Sequence, residues 1–245
     1  MSESHLRATR LLDFDNGSIQ QLIAARGWRD LAPYERIGAA YAFVRDEIEF
    51  GYNASDVLSA STVLADGYGQ CNTKTTLLMA LLRALAVPCR VNGATIHKRL
   101  QKGVVNGGFY LLAPTNINHT WTEVLLDGSW IGLEGVILDA AYLRGIRTIV
   151  SIGTTAFLGF GVGTADLSQP PVEWRGEDTW IQRTGVNQDF GTYDDPDSYY
   201  AEHGDNLSGV RAWLYRVWIR HVLNHNVTSI RAKAVPATAG AALSR

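Results

Sequence analysis

His119-Thr120-Trp121-Thr122-Glu123-Val124-Leu125-Leu126-Asp127-Gly128-Ser129-Trp130-Ile131-Gly132-Leu133-Glu134 is the stretch on which the fold of this 245-residue chain turns. Asp127-Gly128 is its strongest hairpin signal, because a two-residue turn needs positive φ at both central positions and these residue types tolerate it. β-branched and aromatic residues on both sides read as two strands. The turn sets the register: Leu126 faces Ser129, Leu125 faces Trp130 and, further out, Trp121 faces Glu134. Period-two alternation then puts His119, Trp121 and Glu123 on one face. Glu134 is placed diagonal to His119 at about 5.5–8 Å between backbone positions, a gap a glutamate can span.

An imidazole held by a carboxylate has one nitrogen fixed and the other free to take a proton, the arrangement a nucleophile needs. Two cysteines are available, Cys71 and Cys89. Asp66-Gly67-Tyr68-Gly69-Gln70 reads as a tight loop, and from Cys71 onward Thr75, Leu78, Leu82 and Leu85 recur at helical spacing until Pro88 forbids continuation. Cys71 therefore falls in the first turn of a buried helix, where free N–H groups and the helix dipole favour a thiolate. The same groups can form an oxyanion hole, with the Cys71 N–H as leading donor and the Gln70 side chain as a second candidate. The plainer reading makes Cys71 a small buried hydrophobe and Glu134 a solvated edge charge. Asp139 is a second candidate for the acid, and Cys89, just after Pro88 at a strand entrance, reads as a core residue.

Outward from this centre, Ser18 is expected to cap a helix running to Ala25, and Pro33 to open another of about four turns with Ile37, Tyr41, Val44 and Ile48 inside. Ala54 to Gln70 reads as loop. Strands are expected at Arg90-Val91, Ala94 to Ile96, Phe109 to Leu112, His119 to Leu126 and Ser129 to Glu134, giving an α+β fold in which helices pack on an antiparallel sheet. Beyond Arg147 the glycines 153, 159, 161 and 163 and Pro170-Pro171 break long elements. Asn206 is expected to cap a final amphipathic helix through Leu207, Val210, Leu214, Val217, His221 and Asn224. The organisation that follows is a core at 1–146, a cap at 147–231 packed on it, and a flexible tail at 232–245.

A hydrophobic fraction of 46% with 19% charged residues describes an ordinary globular protein, and a net charge of −2 gives no field for nucleic acid. No apolar run has the length of a signal or spanning segment, so a cytoplasmic location away from membranes is expected. A single pair of cysteines makes no disulfide framework. His221 and His225 lack a zinc signature, and Gly159-x-Gly161-x-Gly163 lacks the context of a dinucleotide fingerprint, so neither metal nor cofactor is expected. Trp174, Trp180, Phe190, Tyr193, Tyr199 and Tyr200 are expected either to line a pocket or to pack the cap onto the core.

Several of these segments together resemble the core of the transglutaminase-like superfamily, a papain-related fold. They are Tyr68-Gly69-Gln70-Cys71, the Leu-rich helix, Val87-Pro88-Cys89-Arg90 and His119-x-Trp121-x-Glu123-Val124-x-Leu126-Asp127-Gly128-x-Trp130. The lead-in Phe43-Val44-Arg45-Asp46-Glu47-Ile48 fits as well, and the likeness spans roughly Asp13 to Tyr142. It implies Cys71 as nucleophile, His119 as base and Glu134 as the acid where the family carries an aspartate, with Gln70 and Trp121 in support. The chemistry implied is a peptidase, amidase or amide-forming acyl transfer on a small-molecule or peptidyl amide. An isomerase or lyase using the same pair as base and acid, and a non-catalytic binding module, are the other readings. The sequence sets no oligomeric state.

Overall fold

The computed structural model describes residues 3–150 and 155–234. Asn16, rather than Ser18, caps the first helix, α1 (Gly17–Arg26), its Oδ1 accepting the Ser18 N–H at 3.0 Å. Pro33 opens α2 (Pro33–Asp46), where the Glu35 carboxylate reaches back to the Ala32 N–H at 3.1 Å. After β1 (Glu49–Phe50), the stretch expected to be loop contains a seven-residue helix, α3 (Ala60–Asp66), capped by Ser59. Only Ala60 and Val63 of that helix are buried, so it leaves almost no apolar period to read. β2 (Tyr68–Gly69) pairs parallel with β1 and delivers the chain to α4 (Cys71–Ala84).

Then come β3 (Cys89–His97), α5 (Gly107–Leu112), β4 (Asn116–Leu126), β5 (Ser129–Gly132) and α6 (Ala140–Ile149). The remainder is β6 (Phe157–Gly159), β7 (Val162–Thr164), β8 (Val186–Tyr193), α7 (Pro196–His203) and α8 (Gly209–Leu214). A π-helical turn at Tyr215–Ile219 joins α8 to α9 (Arg220–Arg231). Two expectations are corrected here. The strand read at Phe109–Leu112 is the helix α5, and the sheet is completed by β8 instead. The final helix starts at Gly209 after Ser208, and Asn206 is used elsewhere. Of the tail at 232–245, residues 235–245 lie outside the described residues.

The main sheet is antiparallel throughout, in the order β5-β4-β3-β8. Asp127 (φ 49°) and Gly128 (φ 83°) form the expected turn, and Leu126↔Ser129 and Leu125↔Trp130 pair as the turn dictates. β8 comes from beyond residue 146, so the core and the segment after it share one sheet. Against this sheet lies α4, with every residue from Cys71 to Arg83 buried. Its Leu77, Leu78, Leu81 and Leu82 fill the space between sheet and helices, where truncation of one such leucine costs about 2–5 kcal/mol.

α9 docks on α6 through Gly145. A Cβ built there would stand 2.1 Å from the Ile230 carbonyl oxygen and 2.9 Å from its carbon, both backbone atoms that cannot swing aside. Gly145→Ala is expected to force the two helices apart and cost about 1–3 kcal/mol, measured as a lowered urea midpoint with unchanged slope.

Candidate functional site

α4 begins at Cys71 because Gln70 supplies the cap: its backbone is extended, its N–H is taken by Thr73 Oγ1 at 3.1 Å, and its carbonyl accepts the Lys74 N–H. The first turn is then laced to β4 on both sides of His119. Asn72 Nδ2 donates to the Asn118 carbonyl at 3.0 Å, Thr120 Oγ1 donates to Asn72 Oδ1 at 3.1 Å, and Thr75 Oγ1 donates to the Thr120 carbonyl at 3.1 Å. The Asn72 and Thr120 backbone N–H groups act on the Cys71 thiol in the direction that favours its anion. Cys71 and the start of β4 are thus brought together, with Cys71 7% exposed and His119 fully buried.

Glu134 arrives by a different route from the one its spacing suggests. The β4–β5 ladder ends at Glu123↔Gly132, and the Leu133 N–H still donates to the Thr122 carbonyl at 2.8 Å. There the chain leaves the sheet. The Glu134 and Gly135 N–H groups turn to the Thr179 carbonyl, and a 3-10 turn, Glu134–Ile137, replaces the expected pairing of Trp121 with Glu134. From this turn Glu134 Oε1 meets His119 Nε2 at 2.8 Å, both side chains fully buried. Its Oε2 accepts the Ile181 and Gln182 N–H groups at 2.8 and 2.9 Å. His119 Nδ1 is buried without a hydrogen-bond partner. Lys74, one turn beyond Cys71, donates to the Arg45 and Ile137 carbonyls, both at 3.1 Å, and burial pulls its ammonium down to about 7.

The other sequence candidates separate cleanly. Asp139 is not at His119: it caps α6 through the Tyr142 N–H and accepts from the Phe50 N–H and Arg231. Trp121 lies beside the imidazole at 5.7 Å between ring centroids and edge-on to Trp180 at 5.8 Å. Gln70 accepts the Asn53 N–H at 2.9 Å and donates to Asp56 at 2.8 Å. Cys89 is a core residue. The cap aromatics serve packing: Trp174 lies on Tyr34, and His203 stacks on Phe190. Among the described residues no group of three His, Cys, Asp or Glu is placed to hold a metal ion, and no helix is long and apolar enough to cross a membrane.

Beside Cys71 a cavity of about 300 Å³ opens, which the sequence gave no sign of. Its walls are mainly apolar, and the C-terminal helices roof it with Ala212, Tyr215, Ile219 and Leu223. At its polar end is Asp56, which accepts from Gln70 Nε2 at 2.8 Å and from Asn206 Nδ2 at 2.5 Å. Asn206 Oδ1 in turn takes the Asn118 N–H at 2.7 Å. Burial, with Asp205 nearby, pushes the Asp56 carboxyl up to about 6. Asn72 was not singled out from the sequence, though its place directly after the cysteine is a signal that could have found it; Asp56 and Gln182 carried no local signal, and Asn206 was read only as a helix cap.

The resting thiol differs from the sequence expectation. Burial, and after it the field of Asp56, raises the Cys71 thiol far above its ordinary range, and the N–H groups of Asn72 and Thr120 only partly oppose this. A helix N-terminus lowers a thiol's pKa when the sulfur keeps contact with water; here desolvation wins, and Cys71 rests as a neutral thiol.

A buried cysteine opens the central helix, an imidazole lies on the facing strand and an acid lies behind it, in a mixed helix-and-antiparallel-sheet fold consistent with a papain-related one. The family model described as transglutaminase-like superfamily matches residues 24–134, which include Cys71, His119 and Glu134. This stretch is similar to the transglutaminase-like superfamily over somewhat less than half of the chain. A solved structure of a "putative cysteine protease" from Cytophaga hutchinsonii is similar at 16% identity and a TM-score of 0.44, covering 80% of this chain and 49% of that one. The chain thus spans about half the length of that protein. No curated protein matches it.

Asp56 generates a measurable linkage. Its carboxyl ionises near 6 in the fold against about 3.9 in an unfolded chain. The folded state therefore holds the extra proton, and the stability penalty is absent below about pH 4 and complete above about pH 6. Asp56→Asn removes it. The variant's stability relative to wild type should be about 2–3 kcal/mol more favourable at about pH 8 than at about pH 4, by urea denaturation at both. Iodoacetamide should also alkylate Cys71 at lower pH in the variant, since the Asp56 charge is gone.

Proposed function

We propose that the protein is a thiol-dependent acyl-transfer enzyme, a hydrolase or amide-forming transferase acting on an amide or ester carbonyl through Cys71, His119 and Glu134. One observation carries this reading. The Glu134 carboxylate occupies His119 Nε2 at 2.8 Å and leaves Nδ1 buried and unpartnered, on a strand laced to the turn that holds Cys71.

In the reaction His119 Nδ1 takes the thiol proton as the sulfur attacks the carbonyl carbon. A neutral resting thiol calls for this transfer to accompany attack. The Cys71 N–H, at the first helical position with no intrahelical acceptor, is the oxyanion donor. Gln70, whose amide is engaged by Asp56 and Asn53, braces the turn instead. Collapse of the tetrahedral intermediate passes the proton from His119 to the leaving group and leaves a thioester. Water or an amine, deprotonated by the same imidazole, then releases the acyl group and restores the thiol.

Treatment with an activated ester should leave an acyl adduct on Cys71 by mass spectrometry, and Cys71→Ala should leave none. Turnover by Cys71→Ser without any wild-type adduct would favour proton-transfer chemistry and sink the acyl route. Glu134→Gln preserves an acceptor for Ile181 and Gln182 but presents an N–H to His119, forcing the proton onto Nδ1. The wrong tautomer should lower kcat by about 10²–10⁴ with KM little changed, measured by steady-state kinetics.

A further inference from the structure

The helical segment that runs from α8 into α9 has two sides. Ala212, Tyr215, Ile219 and Leu223 line the cavity beside Cys71. Val210, Trp213, Leu214 and Val217 recur at i, i+3, i+4 and i+7, the stripe a helix normally buries. Here the stripe stays exposed, at 73% for Val210 and 59% for Trp213, and Trp218 follows at 58%. Of the nine large hydrophobic side chains exposed among the described residues, these are five, gathered within nine positions. The other tryptophans of the chain are buried or half-buried. Single exposed apolar residues are ordinary, whereas such a cluster marks a surface made to be covered.

Charge says what covers it. Asp205 is the last acidic residue of the sequence; Arg211, Arg216, Arg220, Arg231, Lys233 and Arg245 follow, an asymmetry that the net charge of −2 conceals. Arg231 pairs with Glu49 and Asp139. Arg211, Arg216 and Arg220 interrupt the apolar stripe, and none of them is in an ion pair among the described residues; Arg220 reaches the Arg216 carbonyl and the Tyr68 hydroxyl. A second copy laid face to face would set arginine against arginine, and residues 235–245 carry no acid to offer. The complement is an external anion with an apolar body beneath it. Arginines flanking a Trp-bearing apolar stripe suit a helix lying in the plane of an anionic membrane, guanidinium groups at the phosphates and indoles at the headgroup boundary. Such a helix needs no spanning length, so the expectation of no membrane, drawn from the length of apolar runs, does not reach it.

We propose that α8, the π-helical turn and the start of α9 form a docking face for an anionic lipid bilayer. Trp213, Val217 and Trp218 enter the headgroup boundary, and Arg211, Arg216 and Arg220 meet lipid phosphates. The inference is independent of the chemistry at Cys71. Arg211, Leu214 and Arg216 also line the cavity, so docking sets the edge of the cavity against the bilayer.

The test is sedimentation of the full chain with vesicles of phosphatidylcholine alone or with about 30% phosphatidylserine. At low salt the anionic vesicles should bind at least about tenfold more tightly, and about 0.5 M salt should remove most of that difference. Arg211→Gln/Arg216→Gln should weaken binding to the anionic vesicles at least about tenfold, as should Trp213→Ser/Val217→Ser. Tyr34→Ser, which removes an exposed aromatic ring on α2, should bind as wild type. A second readout does not depend on a polar substitution being tolerated. Brominated phosphatidylcholine in the anionic vesicles should quench the tryptophan fluorescence of wild type; Trp213→Phe/Trp218→Phe, which keeps the stripe apolar, should still sediment but lose the quenching. Equal sedimentation with both vesicles, none with either, or quenching that survives Trp213→Phe/Trp218→Phe overturns the proposal. A dimer seen by light scattering that Trp213→Ser/Val217→Ser dissolves, without vesicle binding, also overturns it and assigns the face to a second copy.

Discussion

The hydrogen bond between His119 Nε2 and Glu134 Oε1, closed to solvent on both sides, is the constraint around which the structure is arranged. A buried carboxylate is tolerable only when its oxygens are satisfied, and this one is met by the imidazole and by two backbone N–H groups from Ile181 and Gln182. Those amides reach it because Thr179 bridges to the end of β5, its N–H donating to Gly132 and its carbonyl accepting from Glu134 and Gly135. The segment after residue 146 is therefore part of the scaffold of the site as well as of the sheet.

α4 meets the complementary requirement. A helix buried from Cys71 to Arg83 has to satisfy its polar side chains internally, and apart from Arg83 Nε it does so with contacts that also set position. Lys74 ties it to the end of α2 and to the turn carrying Glu134, Asn72 and Thr75 tie it to β4, and Arg83 binds the Arg7, Cys89 and Asp194 carbonyls. Each polar group there is expensive to bury alone and stabilising once paired. The outcome is a helix whose first turn has little freedom relative to the strand that carries the imidazole.

Much of this frame was legible in the chain itself, because the signals were local. Asp127-Gly128 dictated its own turn and the first pairs of the hairpin, Pro33 and Pro88 marked a helix start and a helix limit, and the leucine spacing after Cys71 marked the central helix. His119 and Glu134 were found together although the register beyond Gly132 was not as extrapolated; the chain left the ladder for Thr179, and a carboxylate on a flexible stem still arrived. What escaped was non-local. Ile181, Gln182, Asn206 and β8 act through partners 47 to 150 residues away, from Ile181 with Glu134 to Asn206 with Asp56, and no spacing rule reports such pairings. The cap aromatics were equally ambiguous: only the fold shows that they pack, while the cavity is roofed by a helix whose inner side is no more apolar than its outer one.

The dependence of Glu134 on the amides of residues 181 and 182 has a further consequence, in the order of synthesis. A ribosome releases Cys71, His119 and Glu134 well before the segment that holds the acid in place. Until that later segment emerges, the carboxylate has no backbone partners, the imidazole has no fixed rotation, and the sheet lacks its β8 edge. The buried His119–Glu134 contact can thus be completed only after the segment carrying Ile181 and Gln182 has been made.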